Sequence, residues 1–149
     1  SRTNKNVGGT HQMKVFLDTN VLVDYLNKRE PFFEDAASII GICLSGQAKG
    51  VLSALSVVNA AYIMRKAYTK DSLMAKMEWL ATAFEISPIN RQTIHDALTS
   101  RAADFEDAVQ CFSAVQSRSD LILTRDKSGF NGLVLPVMTP AEFLARCAE

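Results

Sequence analysis

Short apolar runs alternate along this chain with longer segments in which apolar residues recur at helical spacing. Residues 13–17 read as a first strand, followed by a helix through Val21, Leu22, Tyr25 and Leu26. Pro31 is expected to open a second helix, with Ala36, Ile39, Ile40 and Leu44 along it and Gly46 and Gly50 bracketing the turn beyond. "GVLSA" (50–54) reads as a second strand and "LSVVNAAYIMRKAY" (55–68) as the helix after it. "DSLMAKMEWLATAF" (71–84) is a further helix capped by Asp71 or Ser72, and "EISPI" (85–89) a short third strand. A helix from Arg91, a helix from Asp104 to Ser117, strands "LILT" (121–124) and "LVLPV" (133–137), and a last helix started by Thr139 and Pro140 complete the pattern.

Strands alternating with helices imply right-handed crossovers and a parallel sheet covered on both faces, a three-layer α/β/α arrangement. No repeat, low-complexity tract or linker divides residues 13–149, which are expected to form one domain. Residues 1–12, "SRTNKNVGGTHQ", read as a flexible N-terminal extension or an expression remnant, with Met13 a candidate natural start. Trp79 and the phenylalanines follow helical apolar spacing and are assigned to the core.

Composition narrows the function classes. The 149 residues are 48% apolar, enough for a single large core, and 16 basic residues balance 16 acidic ones. A polyanion partner would therefore have to be held by a local patch. Three cysteines without CxxC spacing point to reduced thiols and a cytoplasmic setting. Two histidines, His11 and His95, neither beside a cysteine, give little support for zinc. No stretch approaches the length of a membrane span or the apolar core of a signal peptide.

The candidate chemistry lies where strands end. In an open parallel sheet, ligands gather beyond the carboxyl ends of the strands, near the point where strand order reverses. Asp18 directly follows the first strand and Asp126 stands two residues beyond Thr124, so neighbouring strands would bring both carboxylates into one crevice. The helix from Asp104 adds Asp107, one turn further on. At 100° per residue Glu106, Gln110, Ser113 and Ser117 share one face, assigned to solvent, while Asp107 sits on a flank with Cys111 and Ala114. Each acid also has an ordinary structural reading. Asp18 or Thr19 can cap the following helix, Asp104 can be an N-cap, Asp107 a first-turn acid, and Asp126 part of a turn.

Taken together, "VFLDTNVLVDYL", "DFEDAVQ", "LILTRDKSGF" and the terminal "VLPVMTPAEFL" resemble the PIN domain, in the bacterial branch that includes VapC-like toxins, over nearly the whole chain. The resemblance implies a sheet of about five parallel strands and a Mg²⁺- or Mn²⁺-dependent ribonuclease. It makes Asp18 the first acid, Asp107 the helix acid and Asp126 the last acid, the three expected metal ligands. Asn20 and Thr124 match polar positions lining such sites, and Asp104 matches an acid frequent in the branch. One position departs. Asn59 stands where the family carries a glutamate, and it can offer a carbonyl oxygen but no charge, which favours one tight metal site over two. The resemblance also implies an antitoxin protein as partner and a homodimer.

Candidate contacts to RNA phosphates are Lys28, Arg29, Arg65, Lys66, Arg125 and Lys127. Two alternatives stand beside the nuclease: a degenerate PIN-like domain that binds RNA or a protein without cutting, supported by Asn59, and a haloacid dehalogenase-type phosphatase. The phosphatase wants a second aspartate two residues after the first, and Asn20 stands there. Ser–His–Asp catalysis has only His95 to draw on, and no glycine-rich dinucleotide loop is present.

Overall fold

The computed structural model describes residues 12–149, so the expected N-terminal extension lies, apart from Gln12, outside the described residues. Five parallel strands form one sheet: β1 (Lys14–Leu17), β2 (Lys49–Ser53), β3 (Glu85–Ser87), β4 (Leu121–Leu123) and β5 (Val137–Met138), in the order β3-β2-β1-β4-β5. The chain builds outward from β1 through β2 to β3, then crosses back and builds outward on the other side. Strand order therefore reverses between β1 and β4, which pair in the register Val15–Leu121, Phe16–Ile122 and Leu17–Leu123.

Alternation along the strands decides what each face buries. Val15, Leu17, Leu52, Leu121 and Leu123 point to one side, against α1 (Thr19–Leu26), α2 (Phe33–Leu44), α3 (Ala54–Met64), α4 (Lys70–Ala83) and α7 (Pro140–Cys147). Phe16, Val51 and Ile122 point to the other, against Cys111 and Ala114 of α6 (Phe105–Gln116) and Phe130 of a short 3₁₀ turn. Helix α5 (Arg91–Ser100) packs beside α6 on that face. Helices cover both faces, as the alternation of strands and helices requires. The larger layer packs closely on β2, where a Cβ on Gly50 would come within 2.6 Å of the Phe84 ring. Trp79 packs edge-on to Phe84 and tilts against Tyr25, half-buried at the rim of the larger core. No helix of the described residues is long and apolar enough to cross a membrane.

Several boundaries differ from the sequence reading, each for a local reason. Pro31 lies in a turn and α2 begins at Phe33. Helix α4 is capped by Thr69, whose hydroxyl accepts from Ser72 N, not by Asp71 or Ser72. Of "LVLPV" only Val137 is strand: Leu133–Pro136 is loop with Val134 exposed, and Pro136 has no N–H to donate to a ladder. The last helix is started by Thr139 and Pro140 as expected, through a capping box that pairs Thr139 with Glu142.

The solvent assignment of one α6 face is overturned. Gln110 and Ser113 are fully buried and Ser117 nearly so, while only Glu106 stays exposed. Helix α6 lies across β2, β3 and β4, and its small polar side chains meet polar groups of those strands. Ser113 Oγ donates to Ser87 Oγ at 2.9 Å, and Ser53 Oγ donates to Gln110 Oε1. Burial is tolerated because the hydrogen bonds are made, and no buried side-chain N or O atom among the described residues lacks a partner.

Candidate active site

Asp18 is both a helix cap and a site residue. Its Oδ1 accepts from Thr19 N at 2.9 Å, capping α1, and from Gln110 Nε2 at 3.1 Å; its Oδ2 accepts from Thr124 Oγ1 at 2.8 Å. The same Asp18 extends the sheet, donating its backbone N–H to Leu123 O. Thr124, at the end of β4, is completely buried and gathers the surrounding polar groups. Its hydroxyl oxygen accepts from Asn20 Nδ2 at 3.0 Å and from Asp126 N at 3.2 Å. Asn20 Oδ1 in turn accepts from Arg125 N. The end of β1, the start of α1 and the turn after β4 are thereby locked into one corner.

Helix α6 brings the remaining acids. Asp104 is its N-cap, accepting from Asp107 N at 3.0 Å. Carboxylate oxygens of Asp18, Glu106 and Asp107 all lie within 4.8 Å of one another. Partial burial, followed by the charges of Asp18, Asp104 and Glu106, pushes the Asp107 carboxyl up to about 8. Glu106 is exposed as a whole residue, but partial burial of its carboxyl end, followed by the Asp18 charge, raises it as well. Gly129 makes room for this cluster, since a Cβ there would run into Asp107 Oδ2. Asp126 lines the same pocket, but Ser128 Oγ and N hold its carboxylate at 2.7 and 3.2 Å and lower its pKa.

The pocket holds about 450 Å³ and is lined by Asp18, Asn20, Asn59, Asp104, Asp107 and Asp126, with Thr124 beneath. Every sequence-derived candidate therefore reaches this one corner. Glu106 was missed, because its helix face was read as solvent-facing. Asn59 Nδ2 donates to Glu106 Oε2 at 3.4 Å, so a carboxylate stands beside the position where the expected glutamate is absent.

The donor set suits a hard divalent cation. It is made of carboxylate oxygens, and Asp107 and Glu106 are raised first by partial burial and then by the charges of their acidic neighbours. Among the candidate cations for RNA, Lys127 is paired with Glu142, Arg65 stacks on Tyr62, and Arg125 pairs with Asp24. Lys28 lines a separate groove with Trp79.

The sequence profile of the PIN domain matches residues 14–128, and the chain belongs to that family. The chain is 28% identical over 138 residues to Ribonuclease VapC1 of Aquifex aeolicus (strain VF5), a match covering 89% of this chain and 94% of that protein. Its fold resembles the structure of VapBC2 from Rickettsia felis bound to a DNA fragment from their promoter, with a TM-score of 0.67 and 15% identity over 85% of this chain and 98% of the other. It also resembles VapC20 of Mycobacterium tuberculosis, a sarcin-ricin loop cleaving toxin, with a TM-score of 0.64 and 14% identity over 80% of this chain and 96% of that one.

Proposed function

We propose that this chain is a divalent-metal-dependent endoribonuclease acting as the toxin of a toxin–antitoxin pair. The observation that carries the reading is the convergence of Asp18, Glu106 and Asp107 where strand order reverses in a PIN-domain sheet. The similarity to Ribonuclease VapC1 supports ribonuclease activity, and the fold shared with a toxin–antitoxin complex from Klebsiella pneumoniae and with DNA-bound VapBC from Salmonella typhimurium supports an antitoxin partner.

Asp18 and Asp107 would hold Mg²⁺ or Mn²⁺ directly, with Glu106 beside them and Asp126 acting through water. When bound, such an ion supplies Lewis acidity to a phosphodiester and eases deprotonation of an attacking water. The chain's own residues do the positioning. Gln110, Thr19 N and Thr124 fix the Asp18 carboxylate from three directions, leaving one lone pair on Oδ2 for a ligand. Asn20 holds Thr124 and the Asp126 turn in register. Asp107, whose carboxyl partial burial and neighbouring acids raise to about 8, would have to release its proton to hold a cation.

The non-cutting alternative rested on Asn59, and the Glu106 carboxylate beside it favours cleavage. Homodimer formation belongs to the same proposal, supported by exposed Val58, Tyr62 and Ile63 on α3 beside the pocket; light scattering checks it.

RNA cleavage with and without Mn²⁺, run beside purified Asp18→Asn, tests the activity. Cleavage should vanish both in chelator and in the variant. Equal activity in the variant would assign it to a contaminant. Mn²⁺ should also raise the melting temperature, and Asp18→Asn/Asp126→Asn should lose that rise; a retained rise would place the ion elsewhere.

A further inference from the structure

The acid pocket has a cation built into its wall. Among the described residues lining it, five are acidic and one, Arg29, is basic. An RNA strand approaching these carboxylates brings further negative charge, so the position of that single guanidinium matters.

Arg29 is held by Asp24, whose side chain is 2% exposed. Its Nε donates to Asp24 Oδ1 at 2.9 Å, and its backbone N–H donates to Asp24 O at 3.0 Å. Arg125 already satisfies the same carboxylate, donating from Nε at 2.6 Å and Nη2 at 3.2 Å, with its guanidinium over the Phe32 ring. One buried carboxylate thus carries two arginines. Arg125 is committed to Asp24 and Phe32. Arg29 uses only Nε, and its Nη1 and Nη2 have no partner among the described residues. Its side chain is 37% exposed. The trio of Asp24, Arg29 and Arg125 nets one positive charge, and Arg29, whose two N–H₂ groups are uncommitted, lines the acid pocket.

Resting on the ribonuclease reading, we propose that Arg29 is the phosphate-binding residue of this pocket. Its two Nη groups take nonbridging oxygens of an RNA backbone phosphate while Asp24 keeps the guanidinium oriented. The fork geometry suits this bidentate contact, which a lysine cannot reproduce. An ordinary structural ion pair would need only one arginine on Asp24, and Arg125 supplies it.

The test uses wild type, Arg29→Gln and Arg29→Lys, with a fluorescent RNA in Mn²⁺, alongside RNA binding measured in an Asp18→Asn background. Arg29→Gln should lower kcat/KM by about 10- to 100-fold while the Mn²⁺-induced melting shift stays as in wild type. The slope of log binding constant against log salt should shrink by about 0.7, one phosphate contact. Arg29→Lys should recover the slope and only part of kcat/KM. Wild-type kcat/KM and slope in Arg29→Gln would overturn the assignment, as would losses that merely track lowered melting temperature and that Arg29→Lys fully reverses. If wild type cuts no RNA, the ribonuclease reading falls, and the salt slope still decides whether Arg29 holds a phosphate.

Discussion

Replacing Gln110 by Met separates the buried α6 face from a solvent-facing one. The two side chains have similar volume, so the change removes hydrogen bonds with little effect on packing. Three bonds are lost: from Ser53 Oγ to Oε1, and from Nε2 to Ser56 Oγ and to Asp18 Oδ1. Each partner keeps one contact. Ser53 Oγ still accepts from Ser56 N, Ser56 Oγ from Thr19 Oγ1, and Asp18 Oδ1 from Thr19 N. The loss per site therefore sits at the low end of the range for a buried group, about 1 kcal/mol for each serine and about 1.5 kcal/mol for the charged Asp18. The sum is about 3 to 4 kcal/mol, a drop in melting temperature of roughly 6–15 °C for a chain of this size. Urea unfolding in chelator, read by circular dichroism, gives the number without any contribution from bound metal. On a solvent-facing helix the same substitution would stay within about 0.5 kcal/mol of wild type. A measured change that small would refute the buried network and the positioning of Asp18 derived from it.

Because the Asp107 carboxyl is raised from 3.8 to about 8, native protein without metal keeps a proton that the unfolded chain has released. Stability should then fall as pH climbs between those values. In chelator, wild type should lose more melting temperature from pH 5 to pH 8 than Asp107→Asn does, and equal slopes would remove Asp107 as the cause. Gly129→Ala should displace the Asp107 carboxylate and weaken Mn²⁺ affinity by about 10- to 100-fold in calorimetry; unchanged affinity would show that the cluster needs no space there. Glu106→Gln should reduce the Mn²⁺-induced melting shift, and Asn59→Glu in that background should restore it. Failure of the second change to restore the shift would separate the two positions.

The frame of this fold could be read from the chain because its strands are short apolar runs bounded by cap residues. Asp18, Asp104 and Thr139 are caps in the structure, as their positions suggest, and the two aspartates among them also line the pocket. Period alone misled where it had to decide which way a face points. Gln110, Ser113 and Ser117 share a face as expected, but the polar partners that make burial tolerable, Ser53, Ser56 and Ser87, come from distant segments. Glu106 was lost to the same assignment. Its adjacency to Asp107 in "DFEDAVQ" was the available signal. Arg29 stood out among the candidate cations only once Arg125 was seen to occupy Asp24 and Lys127 to pair with Glu142.

The strand order carries a consequence for synthesis. β1 leaves the ribosome first yet ends in the middle of the sheet, and its partner β4 arrives about a hundred residues later, with 106 positions separating Thr124 from the Asp18 it holds. A nascent chain carries Asp18 long before Asp107, Thr124 and Asp126 exist to surround it. The acid pocket therefore stays unassembled until α6 and the turn after β4 have been translated and docked.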